Sequence, residues 1–415
     1  MQTRLTETIK QGPYGEDADR ILRNCVHCGF CTAVCPTYQL LGDELDGPRG
    51  RLYQIKQILE GDTPSATTLQ HLDRCLTCRS CETTCPSGVD YARLLDIGRH
   101  QAELAIQRPL SQRLFRWALT RFLPQRSLFS TLLQTARLFK PLLPSKLKRQ
   151  IPVQKTAGSW PAVEHSRQMV ILKGCVQPAL APDIDAATAR LLDRLGIQLI
   201  SIDKSQCCGA INHHLNETER AQVQARHNID QLMPYLDRGA EAIVSTASGC
   251  GAMLKDYGHL LKDDPDYAEK AERVASLVKD LVEIVSQETL PPLAKETVTE
   301  RIAFHPPCTL QHGQGLSGKT EAILKRAGFT LTAINNAHLC CGSAGTYSLL
   351  QPELSQQLRH NKRNDLLSDK PDVIATANIG CMNHLTDLEG PPVVHWVTLL
   401  DSALSRNSIQ ADKST

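Results

Sequence analysis

Sixteen cysteines stand in this 415-residue chain, and eight of them are spaced to hold iron. Near the start they run Cys25-x2-Cys28-x2-Cys31-x3-Cys35-Pro36, and fifty residues later the pattern returns as Cys75-x2-Cys78-x2-Cys81-x3-Cys85-Pro86. Thiolate ligands must converge on one centre, and x2 steps on a tight loop bring three sulfurs together. The fourth cysteine of such a run, just before a proline, ligates the other cluster of a pair. The spacing therefore predicts one [4Fe–4S] cluster on Cys25, Cys28, Cys31 and Cys85, and a second on Cys75, Cys78, Cys81 and Cys35. Zinc knuckles and disulfides are the competing readings. Zinc motifs pair one CxxC with a distant CxxC or HxxxH and lack the Cys-Pro ending.

The other eight cysteines fall in an internal repeat. Cys175 recurs as Cys308 and Cys207-Cys208-Gly209 as Cys340-Cys341-Gly342, both 133 residues on. Arg226-His227-Asn228 matches Arg359-His360-Asn361 at the same spacing, and AIVSTASGC, ending at Cys250, aligns with VIATANIGC, ending at Cys381. Each unit offers four sulfurs to one metal or cluster, and the glycine after each Cys-Cys pair permits a sharp turn. Buried structural cysteines are the alternative, since free cysteine is among the most buried residue types. His213, His214, His305 and His312 lie beside these motifs and read as packing or hydrogen-bonding residues.

Elements must position these groups. Residues 16–24, 49–60, 65–76 and 91–107 carry helical periodicity, so the first cysteine runs sit on loops joined by helices with few strands. The basic Pro48-Arg49-Gly50-Arg51 turn between the runs reads as a solvated helix start, with partner docking or tuning of a cluster as the other reading. From residue 104 to 163 the chain has eleven Lys or Arg and no acidic residue, with Phe115, Trp117, Phe122, Phe129 and Phe139 among them. Broken by Pro109, Pro124, Pro141 and Pro144, this reads as short amphipathic helices that lie on an anionic membrane, cover a partner or bridge two domains. Beyond Gln168 strands alternate with helices: 169–173, 198–202 and 242–246 as strands, 185–195 and 218–232 as helices. That is a parallel α/β unit, whose strand ends gather ligands at one crevice. The segments VKDLVEIV and WVTLLDSAL are expected as the closing helix of each unit, residues 265–299 as helix and connector, and 405–415 as a disordered tail.

Composition sets outer limits. A net charge of +2 gives no pull toward nucleic acid, and 4% aromatics disfavours base-stacking platforms. No nucleotide-binding glycine turn, P-loop or nucleophile elbow is present. Without an apolar leader in the first twenty residues or an eighteen-residue apolar run, a reducing cytoplasmic location is expected.

The chain resembles the iron–sulfur subunits of glycolate oxidase (glycolate dehydrogenase). The resemblance is carried by CVHCGFCTAVCPTY, GPRGR, CLTCRSCETTCPSGVDY, both Cys-Cys-Gly motifs and HWVTLLD, and it spans nearly the whole chain. The wider group includes subunits of heterodisulfide reductase, anaerobic glycerol-3-phosphate dehydrogenase and lactate-utilisation complexes. It implies an α+β multi-domain chain: a helical two-cluster ferredoxin-like domain over 1–107, a basic helical linker over 108–165, and two repeated α/β cysteine-rich lobes over 166–290 and 299–405. It also implies two flavin-family partner subunits carrying FAD, oxidation of glycolate to glyoxylate there, and electron transfer here toward a membrane quinone, with peripheral contact through 108–150 at the cytoplasmic face of the inner membrane. The alternatives are the same wire serving glycerol 3-phosphate or lactate, or a metal-binding scaffold that passes no electrons. In heterodisulfide reductase the cysteine-rich motif ends in Cys-x-x-Cys; here the segments are Cys250-Gly-Ala-Met253 and Cys381-Met-Asn-His384. A cubane cluster, a zinc ion or no metal stays open for each lobe, with His384 a substitute ligand in the second.

Overall fold

The computed structural model describes residues 1–142, 144, 151–293 and 298–414. Lys146, Lys148 and Arg149 of the basic stretch and Thr415 of the expected tail lie outside the described residues.

The first hundred residues are helical, with helices Gly15–Asn24, Pro48–Leu59, Ala66–Asp73 and Tyr91–Ala105. Pro48 opens the second of these, where its missing N–H costs nothing. Leu52, Ile55 and Leu59 recur at helical spacing on its buried face and meet Leu94 and Leu95 of the last helix in one core. The approach is close at Gly98, where a Cβ would lie 2.4 Å from Ile55 Cγ1. No strand occurs among the described residues before Arg167.

The basic stretch forms two helices, Leu110–Phe122 and Arg126–Leu138, which strap the first domain to the lobe that follows. Arg108 and Arg116 reach back to Asp73 at 2.6 and 3.2 Å. Arg126 reaches forward to the Asp203 carbonyl. The bridging reading is therefore realised, yet the outer face still exposes Leu114, Phe115, Trp117, Leu132, Leu138 and Phe139.

Each lobe is a four-stranded parallel sheet flanked by helices. In the first, β1 (Arg167–Leu172), β2 (Ile197–Ile202), β3 (Ile243–Ser245) and β4 (Val278–Asp280) lie in the order β2-β1-β3-β4. In the second, β5 (Arg301–His305), β6 (Thr330–Leu331), β7 (Val373–Thr376) and β8 (Val393–His395) repeat it as β6-β5-β7-β8. VKDLVEIV, expected as a helix, divides: Val278 pairs with Ile243 in the sheet, and Asp280 then caps the helix Leu281–Gln287 in a capping box with Glu283. The expected tail is also corrected, since the helix begun at Trp396 continues to Ser414.

The lobes pack as a pseudo-symmetric pair. Helix Asp183–Arg194 of the first lies on the closing helix Trp396–Ser414 of the second, and Lys319–Arg326 of the second lies on the closing helix Leu281–Gln287 of the first. Arg190 and Arg194 converge on buried Asp401 at 2.8 and 2.6 Å across one contact. Arg326 donates to the Val285 carbonyl at 2.8 Å across the other. One hydrophobic core, with Leu191, Leu281, Leu324 and Trp396 among its members, runs through both sheets, so the lobes are fused rather than hinged.

Candidate metal centres

The two ferredoxin-type loops have the same strained backbone. His27 and Gly29 adopt φ of 56° and 83°, and Thr77 and Arg79, fifty positions on, adopt 51° and 62°. Left-handed conformations at non-glycine residues cost on the order of 1–3 kcal/mol and persist where the surroundings impose them. Here they curl each loop so that its three sulfurs face inward. None of the sixteen cysteines is in a disulfide.

Two cavities result. One is lined by Cys25, Cys28, Cys31 and Cys85 together with Cys81. Its neighbour is lined by Cys75, Cys78, Cys81 and Cys35. Each cavity thus gathers three cysteines of one run and the pre-proline cysteine of the other, with Cys81 in the wall of both. Burial pushes the Cys78 and Cys81 thiols well up, so ligation there must be accompanied by proton release. The donor set, all thiol, with Cys35, Cys78 and Cys81 buried and Cys28 exposed, fits iron–sulfur chemistry.

Arg51 corrects the reading of the basic turn. It is not solvated: its side chain is 1% exposed, lines the second cavity and pairs with fully buried Asp46 at 3.2 Å. Its Nε donates to the His71 carbonyl at 2.7 Å. Arg74 completes the charge balance on Asp46 at 2.8 Å. The sequence signal that could have found Arg51 is its position four residues before Ile55, on the buried side of the helix.

In both lobes the cysteines follow the carboxyl ends of strands. Cys175 follows β1, Cys207 and Cys208 follow β2, and Cys250 lies in the cysteine helix Ser248–Lys255 after β3; Cys308, Cys340, Cys341 and Cys381, the last in the cysteine helix Ile379–Leu385, repeat this. Gly209 and Gly342 have φ of +96° and +90°, and at Gly342 a Cβ would come within 2.6 Å of the Ser355 carbonyl oxygen. In the first lobe the neighbouring Cys175 and Cys208 thiols hold the Cys207 thiol well below the usual range. In the second, Cys308 and Cys340 are 3.9 Å apart. The repeat is not complete. Arg226 and Arg359 play matching parts, bonding Asp264 and Asp387 beyond the cysteine helix. Asn228, however, donates to the Cys207 carbonyl at 3.0 Å, whereas its counterpart Asn361 is exposed; the next position is buried Ile229 in the first lobe and buried Lys362 in the second.

The histidines separate clearly. His213 meets Asp96 of the first domain at 3.3 Å, with the His214 ring beside it. His312 bonds Thr83 at 2.8 Å. His384 faces Ser355, its Nε2 3.3 Å from the hydroxyl, and does not join the cysteine group, so it is not the substitute ligand expected. His305, read as a packing residue, instead lies with Cys341 and Cys381, their donor atoms all within 4.8 Å of one another. The second lobe also abuts the first domain: Cys78, Cys308, Cys340, Leu76 and Tyr347 share one apolar cluster.

Comparison with known proteins matches this arrangement. Residues 21–89 match the 4Fe-4S dicluster domain, and residues 169–255 and 302–386 each match the cysteine-rich domain. The glycolate oxidase iron–sulfur subunit of Escherichia coli (strain K12) is 52% identical over 98% of this chain and all of its own length. A probable glycolate oxidase iron–sulfur subunit of Bacillus subtilis (strain 168) is 30% identical over 87% of both chains. Lactate utilization protein A of an Exiguobacterium species is 26% identical over 51% of this chain and 85% of its own. With its dicluster domain, two cysteine-rich lobes and full-length likeness, the chain belongs to the family of glycolate oxidase iron–sulfur subunits.

Proposed function

We propose that this chain carries electrons within a glycolate-oxidising complex: FAD on two partner subunits oxidises glycolate to glyoxylate, and two [4Fe–4S] clusters here pass the electrons to a membrane quinone. The clusters sit on Cys25, Cys28, Cys31 and Cys85 and on Cys75, Cys78, Cys81 and Cys35. Bound there, they supply one-electron steps that a two-electron flavin reaction needs in order to reach a separate acceptor.

The observation that carries this reading is the pair of adjoining cavities, each lined by a crossed set of cysteines, with Cys81 in the wall between them. The chain's own residues tune the path. Arg51 holds a fixed positive charge at the second cavity, which favours added electron density there. Cys28 is exposed, and Val26 and Phe30 beside it are 66% and 61% exposed, so the first cavity opens to a surface where a partner can dock. The exposed Phe115, Trp117, Arg113 and Arg121 on the strap supply the apolar and basic groups of a peripheral membrane contact. No helix among the described residues is long and apolar enough to cross a membrane.

Cys28→Ser and Cys78→Ser, each in the reconstituted complex, test the assignment. Quinone reduction by glycolate is expected to fall at least tenfold while single-turnover flavin reduction survives. Loss of flavin reduction in step with quinone reduction would instead mark the chain as a scaffold.

A further inference from the structure

The two lobes are repeats, but they do not offer the same donors. The residue three before Cys308 is His305; the residue three before Cys175 is Leu172. His305 ends β5 with 1% exposure, and neither of its ring nitrogens has a hydrogen-bond partner among the described residues. A buried imidazole left this way has given up its bonds to water and gained none in return. The ring is not stranded at random, because one nitrogen lies within 4.8 Å of both the Cys341 and Cys381 sulfurs. Cys340, the sequence neighbour of Cys341, stands outside this group with its sulfur 3.9 Å from that of Cys308, and is the third sulfur the site would draw in.

We propose that the second lobe binds a single zinc-class divalent ion through His305, Cys340, Cys341 and Cys381, a mixed nitrogen–sulfur site that the first lobe lacks. Spacing argues for one ion rather than a cluster. Zinc with arms of about 2.0–2.3 Å sets tetrahedral edges of about 3.3–3.8 Å. The three donor atoms within 4.8 Å of one another need to close by about an ångström to reach that. In a cubane each thiolate takes a different iron, and its sulfurs stand farther apart. None of the ferredoxin-type cysteines, and none of the first lobe's, falls in so tight a group among the described residues.

Charge points the same way. Three thiolates and a neutral imidazole around a divalent ion leave one net negative charge in a buried site. Lys362, 2% exposed, faces the sulfurs of this lobe and supplies the compensating cation, with its ammonium anchored on the Asn336 carbonyl at 2.6 Å. At the matching position of the repeat the first lobe has buried, apolar Ile229. Zinc has no redox chemistry, so this lobe braces the Cys78 face of the first domain and adds no step to the electron path. The site stands or falls separately from the electron-transfer reading, because it concerns metal content and not turnover.

The test is elemental analysis with zinc K-edge absorption on the full chain, purified anaerobically with its iron–sulfur clusters reconstituted. One zinc per chain with a first shell of three sulfurs and one nitrogen is expected, alongside about eight irons, the content of two [4Fe–4S] clusters. His305→Ala should lose most of the zinc at unchanged iron, His305→Cys should retain it with an all-sulfur shell, and His384→Ala should leave it intact. Wild-type protein without zinc, with zinc in an all-sulfur shell, or with iron well above about eight per chain would overturn the site. The absorption spectrum of the wild-type protein decides even if the alanine variant does not fold.

Discussion

At the scale of single residues, cysteine spacing was legible because it is local. Ligands two and three positions apart share one loop, so a sequence reading could group them without knowing the fold; the first cavity is lined by Cys25, Cys28, Cys31 and Cys85 with Cys81 beside them, and the second by Cys75, Cys78, Cys81 and Cys35. His305 was not legible, because its partners are distant in sequence; Arg51 was misread although Asp46 is five residues away, because helical spacing alone does not tell a buried cation from a solvated one. Arg51 meets Asp46 and the His71 carbonyl, and His305 meets Cys341 and Cys381. His384, which spacing favoured, turns toward Ser355 instead. Arg51→Ala leaves Asp46 buried with one cation fewer. Breaking a buried pair costs about 3–5 kcal/mol, and Arg74, still 2.8 Å from Asp46, should hold the loss near the lower end. Arg49→Ala is the control: its ion pair to Glu44 is 37% and 41% exposed and should be worth less than about 1 kcal/mol. Anaerobic urea unfolding of the two variants measures the contrast, and equal losses would contradict the buried-pair account.

At the scale of elements, the longer helices and the six-residue strands were readable from periodicity, but the short closing strands β4 and β8 were not. Equally short β3 stood out as the apolar run of 242–246, whereas Val278–Asp280 runs straight into a helical pattern and is a strand because β3 lies beside it. The same short element places Asp280 at a buried helix cap, where burial pushes its carboxyl up to about 7. Below about pH 4 the folded and unfolded chains both hold this proton. Between about pH 4 and 7 the unfolded chain releases it first, so the group costs stability as pH rises, and the cost is complete above about 7. Asn can cap the helix without that penalty. Asp280→Asn is therefore expected to melt higher than the native chain at pH 8, with a smaller advantage at pH 5. A pH-independent difference would show that the carboxyl is not held protonated.

At the scale of the whole molecule, the order of parts was legible and their contacts were not. The repeat announced two lobes, yet nothing local said that they share one core, or that the second seals the Cys78 side of the first domain. That sealing buries one cluster cavity while the Cys28 loop leaves the other at the surface, which gives the proposed electron path a direction from a docked partner inward. The central claim is that electrons from glycolate pass through this chain. It is tested most directly by freezing the reconstituted complex anaerobically after adding glycolate, without quinone, and recording its EPR spectrum. The account predicts reduced [4Fe–4S] signals that disappear when quinone is added; clusters that stay oxidised while the flavin turns over to quinone would contradict it.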